Sequence, residues 1–132
     1  MGNHIKDIEL KAIGTAITST AAATAVAFNP VMVESYKAVF RVAAIVQNDE
    51  DETYVLSVEA SDDGFSSNVV ELGALPDLGF LGLAITAPDT FEIPLSGEAA
   101  EALNPNLATI RVKATLGGTT PSITYEAFLS PR

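Results

Sequence analysis

Strict alternation of apolar and polar side chains dominates this chain. Tyr36, Ala38, Phe40, Val42, Ala44 and Val46 fall in one register, and Lys37, Val39, Arg41, Ala43, Ile45 and Gln47 in the other. The first set is wholly apolar and the second mixed, which is the signature of a strand with one buried face. Asp49-Glu50-Asp51-Glu52 ends the run, and Tyr54, Leu56, Val58 and Ala60 resume it against Val55, Ser57 and Glu59. The two runs predict an antiparallel hairpin with the acidic stretch as its solvated tip. Near the end of the sequence, Ala108, Ile110, Val112, Ala114 and Leu116 alternate with Thr109, Arg111, Lys113 and Thr115. After Gly117-Gly118 and Pro121, Ile123, Tyr125, Ala127 and Leu129 alternate with Thr124, Glu126 and Phe128. This pair also predicts a hairpin.

Between these blocks the punctuation is clear. Asp62-Asp63-Gly64 is a turn signal, because Asp-Gly tolerates positive φ. Val69 to Leu75 predicts a strand stopped by Pro76, and Leu78 to Ala87 a buried loop-strand. Phe91, Ile93 and Leu95 alternate with Glu92 and Pro94, and the proline assigns this strand to an edge or a bulge. Glu98 to Leu103 is the one predicted helix, capped by Ser96 or Gly97 and stopped by Asn104-Pro105. Ile8, Leu10 and Ala12 alternate with Glu9 and Lys11. Ala21 to Ala25 favour helix on propensity, but the surrounding threonines and valines assign Thr15 to Phe28 to strand.

Seven or more short strands with turns between them predict an all-β fold: a two-sheet antiparallel sandwich, jelly-roll or immunoglobulin-like, with one short helix. The paired cysteines and core tryptophan of immunoglobulin domains are absent from the sequence, which leaves both topologies open. A length of 132 residues fits one domain, over 15–132. Residues 1–14 are either an N-terminal arm or the first strand of the same sandwich.

Composition narrows the functional classes. Seventeen acidic side chains against 7 basic give a formal charge of −10, which opposes nucleic-acid binding and repels an anionic membrane. A basic protein surface is the better electrostatic partner. Without cysteine there is no disulfide, thiol nucleophile or Cys-held metal, and His4 alone supports no histidine triad or His cluster. The uncharged stretch Ala12 to Phe28 superficially resembles a signal peptide. Asp7 and Glu9 occupy its would-be positive region, threonines interrupt it, and it falls short of a membrane span. Gly2 lacks the Ser or Thr at position 6 that myristoylation expects, since Lys6 stands there.

Candidate chemistry is sparse. Four consecutive acids at Asp49 to Glu52 diverge in an extended chain, unlike a spaced calcium loop. Asp62 and Asp63 could meet a cation, but a turn accounts for them. Some carboxylate pair is inevitable among so many acids and singles out no glycosidase site. No phosphate loop or dinucleotide fingerprint is present. Tyr36, Tyr54 and Tyr125 all fall on the predicted core faces, where they pack with their hydroxyls at the sheet margin. The expectation is therefore a protein that is not an enzyme and needs no cofactor or metal.

The stretch from Tyr54 to Phe65, reading Tyr-Val-Leu-Ser-Val-Glu-Ala-Ser-Asp-Asp-Gly-Phe, resembles a strand-to-turn segment of discoidin-type galactose-binding modules. The aromatic follows Gly64 directly, whereas that family spaces it further on, so no ligand site carries over. The whole chain resembles the small, acidic, cysteine-free β proteins that decorate tailed-bacteriophage capsids. Its size, its Ala/Thr-rich strands, the turn Ser61-Asp62-Asp63-Gly64-Phe65-Ser66 and its polar leading segment carry that likeness. The resemblance implies a virion structural protein, a decoration or cement subunit made in the host cytoplasm and placed on the outer capsid surface. It would bind the major capsid protein lattice, self-associate (with trimers favoured), and catalyse nothing. The alternative is a carbohydrate- or protein-binding sandwich module of a secreted or surface protein. The expected partner-binding residues are Ile5, Ile8 and Leu10, adding a strand to a neighbour, and Phe80, Leu81 and Leu83 in the uncharged run Leu78 to Leu83. Val31-Met32-Val33 is a further, weaker contact.

Overall fold

The structure, a computed structural model, describes residues 8–46, 51–79 and 89–131. Within them the alternating runs become β1 (Ile8–Lys11), β2 (Ala21–Ala22), β3 (Val26–Ala27), β4 (Ser35–Ile45), β5 (Thr53–Ser61), β6 (Val70–Ala74), β7 (Asp89–Ser96), β8 (Thr109–Gly117) and β9 (Ile123–Pro131). Helix α1 (Gly97–Leu103) separates β7 from β8. One sheet has the order β1-β9-β4-β7 and the other β2-β8-β5-β6, with β3 also paired to β8. Every strand pairing among the described residues is antiparallel.

That order is the jelly-roll arrangement of two four-strand layers. Short β2 and β3 share one edge position, joined by the Ala23 N–H donating to the Val112 carbonyl at 2.9 Å. Among the described strands, only the β5–β6 connection links neighbours within a sheet across a true turn. The others, from β1 to β2 and from β3 onward, pass from one sheet to the opposite one. Both predicted hairpins are corrected by this. β4 pairs with β7 and β9 and β5 with β6 and β8, so β4 and β5 lie in opposite sheets, as do β8 and β9, which are joined by an arch at Gly117-Gly118. Alternation predicted the buried faces, because an arch and a hairpin preserve the same in-out pattern, except at the end of β4, where a register shift after Val42 leaves Ala44 exposed and packs Ile45 on the core.

The core is what the pattern predicts. Tyr36, Phe40, Val42, Tyr54, Leu56, Val58, Ile110, Val112, Ile123, Tyr125 and Leu129 are fully buried between the sheets. Phe28 meets Tyr36 edge-on at 5.5 Å between ring centroids, and Phe40 lies 6.1 Å from Tyr125, separations at which ring pairs attract. β7 takes an edge position, as Pro94 requires. A second small cluster of Ala60, Ala100 and Leu107 seats α1 at one end of the sandwich. Ser96 caps the helix, its Oγ accepting from the Ala99 N–H at 3.2 Å, and the Asn104 N–H closes it on the Ala100 carbonyl.

The far end is closed by a clasp that the sequence concealed. Thr119 donates to the Asp51 carboxylate through its N–H at 3.1 Å and its hydroxyl at 2.6 Å. Glu52 is buried, 2% exposed, and accepts from the Thr120 N–H at 3.3 Å. Glu52 is thus no solvated tip. Gly118 adopts φ +98, and a Cβ there would stand 2.5 Å from the Asp51 carbonyl oxygen and 2.6 Å from Glu52 Cα. Replacing Gly118 with Ala should therefore cost about 1–3 kcal/mol through positive φ and steric displacement, read as a lower urea midpoint at unchanged m-value. An unchanged midpoint would refute the clasp.

The three tyrosines differ in a testable way. Tyr54 donates its hydroxyl proton to the Val46 carbonyl and accepts from the Ser122 N–H at 2.9 Å. The Tyr36 and Tyr125 hydroxyls are buried with no hydrogen-bond partner among the described residues, so neither sits at the sheet margin as the pattern predicts. Burial raises both, Tyr125 to about 12. Tyr54→Phe should lose about 1–2 kcal/mol of stability, whereas Tyr36→Phe and Tyr125→Phe should lose nothing or gain up to about 1 kcal/mol. Denaturant unfolding of the three variants makes the comparison.

Candidate functional site

The surface divides into two sheet faces, one open edge and two ends. On the outer face of the β1-β9-β4-β7 sheet, Val39 stands opposite Phe128 and Glu92 in the flanking strands. Charged pairs frame this centre: Lys37 Nζ to Glu92 at 3.0 Å and Arg41 to Glu126 at 3.3 Å. Exposed pairs of this kind contribute little stability, but they neutralise the face. On the opposite sheet, Arg111 contacts Glu59 at 2.9 Å and lies 4.0 Å from the Phe65 ring centroid. A half-buried guanidinium between a carboxylate and an aromatic face is held by both charge and quadrupole.

Phe65 reaches that position from an unusual backbone. It has φ 68, immediately after Gly64 at φ 70, which is uncommon for a bulky residue. The loop is fixed by one carboxylate. Asp63 accepts from the Ser61 hydroxyl at 2.7 Å, the Ser66 and Ser67 N–H groups at 3.2 and 3.1 Å, the Ser67 hydroxyl at 3.0 Å and the Asn68 N–H at 3.2 Å. Ser61 Oγ in turn accepts from the Asp63 and Phe65 N–H groups. Asp62 accepts from the side-chain amides of Asn68 and Asn104, at 3.1 and 3.0 Å. Both carboxylates are thus occupied by loop donors, which is a structural role.

Other acids work the same way. Asp77 accepts from the Tyr54 and Gly79 N–H groups at 2.8 and 2.9 Å. Among the described residues, no three His, Asp or Glu side chains converge as a metal-holding group, and no helix is long and apolar enough to cross a membrane. A cleft of about 380 Å³ runs between Glu9–Ala12 and the Ala23–Val26 edge, where Lys11 Nζ donates to the Tyr125 carbonyl at 3.0 Å. Its partial burial lowers the Lys11 pKa.

The predicted contact residues fare unevenly. Ile8 and Leu10 lie in β1, which pairs with β9 of the same chain, Ile8 opposite Leu129. This is the first-strand alternative for that segment. Leu10 is 3% exposed in the core, so its side chain is already packed, and it is corrected from contact to core. Ile8 packs partly against the same core. Ile5, Phe80, Leu81 and Leu83 lie outside the described residues; of that apolar run, Leu78 is buried. Of Val31-Met32-Val33, the two valines pack inward and Met32 is 78% exposed. Leu103 and Val69 are also exposed, at 55% and 43%. Sequence reading missed Leu103 because it follows Ala100 by three positions, a spacing that predicts a shared buried face. The helix ends there, so Leu103 projects past the cluster that holds Ala100.

No family model matches the chain, and no curated protein matches it. Among solved structures, the fold is similar to a chain in the structure of infectious bursal disease virus Gx strain, with a TM-score of 0.51 and 12% sequence identity. The match covers 94% of this chain and 31% of the viral one, so this chain spans about a third of that chain's length. At that identity the likeness is one of fold: an all-β sandwich of two packed antiparallel sheets.

Asp63 gives the surface a pH dependence. The Ser61 hydroxyl and the other loop donors hold its carboxyl at about 2, below the ordinary 3.8. A depressed folded-state pKa adds stability above the unfolded value and loses it as pH falls toward the folded one. Asp63→Asn should therefore melt below wild type at pH 7, with the gap shrinking between about pH 4 and pH 2. A gap constant across that window would remove Asp63 from the loop's stabilisation.

Proposed function

We propose that this chain is a structural virion protein, a decoration or cement subunit that binds the outer surface of a phage capsid and holds neighbouring capsid subunits together. The observation that carries the reading is the jelly-roll strand order, together with a fold likeness to a viral chain across 94% of the sequence. Jelly rolls also serve lectins and cupins, so the side chains must discriminate. Those uses need a cleft with stacking aromatics or convergent ligands. Here all three tyrosines lie in the core, and Asp51, Asp62, Asp63 and Asp77 are occupied by backbone and side-chain donors of their own loops. What the molecule offers is surface. In this reading the protein acts by adhesion, requires no cofactor, self-associates with trimers favoured, and is made in the host cytoplasm before joining the virion.

Co-sedimentation with expanded capsids of the encoding phage tests the proposal. The protein should pellet with the shells in a saturable, fixed ratio, and the decorated shells should survive heating better than bare ones. Absence of binding to the shells, with a reproducible hit on a glycan array, would overturn the reading in favour of a carbohydrate-binding module.

A further inference from the structure

The end of the sandwich that carries α1 has a composition unlike the rest of the molecule. It consists of residues 28–34, the loop 62–69 and the stretch 97–108. These segments are tied into one surface. The Gly97 N–H donates to the Glu34 carbonyl at 3.3 Å, and a Cβ on Gly97 would stand 2.5 Å from the carbonyl oxygens of Val31 and Val33. Asn104 bonds Asp62, the Ala108 N–H donates to the Ser61 carbonyl, and Val31 and Val70 pack on the same Ala60–Ala100–Leu107 cluster. Three of the four large apolar side chains most exposed among the described residues, Met32, Val69 and Leu103, project from this end.

The charge of these three segments has a single sign; Arg111, which packs on the Phe65 ring, comes from β8 and is paired with Glu59. Glu34, Glu98 and Glu101 are exposed there, Asp62 and Asp63 join them, and the three segments contain no Lys or Arg. Both aspartates are held below their ordinary pKa by loop hydrogen bonds and are ionised at neutral pH. The described cations, Lys11, Lys37, Arg41, Arg111 and Lys113, all sit on strands. Lys37, Arg41 and Arg111 are paired with Glu92, Glu126 and Glu59. Exposed apolar side chains on segments whose charge is all acidic have the composition of a protein interface whose partner carries the opposite charge. A second copy fits poorly, because an isologous contact would press the same carboxylates together.

We propose that the α1 end is a docking surface for a basic protein surface, with Met32, Val69 and Leu103 entering an apolar depression and Glu34, Glu98 and Glu101 facing Lys or Arg at its rim. Under the capsid reading, on which this assignment of partner rests, that surface is presented by the capsid lattice. Unbranched Met32 suits a contact that must adapt to its depression.

Two measurements on the full chain test the assignment and separate it from the capsid reading. In the first, isotope-labelled protein is titrated with a Leu/Lys amphipathic peptide and followed by amide chemical shifts. The largest changes should fall at residues 31–34, 69 and 98–103. Met32→Ser/Val69→Ser/Leu103→Ser should weaken binding about tenfold or more, and Glu34→Gln/Glu98→Gln/Glu101→Gln should weaken it and flatten its salt dependence. These side chains are exposed, so the variants should fold; if the serine variant does not, the glutamine variant decides. Shifts centred elsewhere, no binding, or unweakened variants overturn the proposal, as does peptide-free dimerisation mapped to the same residues. In the second, the variants are sedimented with capsid shells. If wild type and variants bind alike, the docking surface is wrong and the capsid reading stands. If wild type ignores the shells while the peptide maps to the α1 end, the surface stands and the capsid reading falls.

Discussion

Each long strand of this protein has one dry face, and in this chain, with one short helix among the described residues, that face is covered mainly by the dry face of the other sheet. The rest of the structure follows from that constraint. Tyr36, Phe40 and Val42 on β4 and Tyr54, Leu56 and Val58 on β5 are sequential in the chain yet lie in facing layers. Placing successive strands in opposite layers sends nearly every connection across the end of the sandwich. Loops therefore gather at two ends, while the outer sheet faces carry alternating residues that pair charge with charge.

This geometry explains which features were legible in the sequence. The inward set of every long strand apart from the bulged end of β4, the edge position imposed by Pro94, the Ser96-capped helix and the Asp-Gly turn could each be read from a local rule. Strand partners could not. The acidic stretch before Thr53 and the Gly117-Gly118 stretch are short enough to be hairpin turns, and the alternation on either side suits a hairpin and an arch equally. What distinguishes them is non-local: Asp51 and Glu52 bond Thr119 and Thr120, 68 positions away, and Gly118 allows the two backbones to touch.

The acids show the same division. The sequence pattern placed the acidic stretch Asp49 to Glu52 in solvent and explained Asp62 and Asp63 by a turn. Instead, several carboxylates serve as internal acceptors that replace missing backbone partners in loops, with Asp63, Asp62 and the Ser61 hydroxyl together organising the β5–β6 turn. Others neutralise the strand-borne cations. Glu34, Glu98 and Glu101 lie at the α1 end with Met32, Val69 and Leu103, a placement that depends on loops distant in sequence meeting at one end of the sandwich. Exposure of Leu103 was illegible for the same reason, since its helical phase matches that of buried Ala100.

The proposed function and docking surface meet in one claim, that the α1 end seats on the capsid. A cryo-electron microscopy reconstruction of capsids carrying the bound protein tests that most directly. The account predicts a sandwich-shaped density on the outer shell with the short helix turned toward the capsid surface. Density with the helix end turned to solvent, and a sheet face or the Gly118 end seated on the shell, would contradict it.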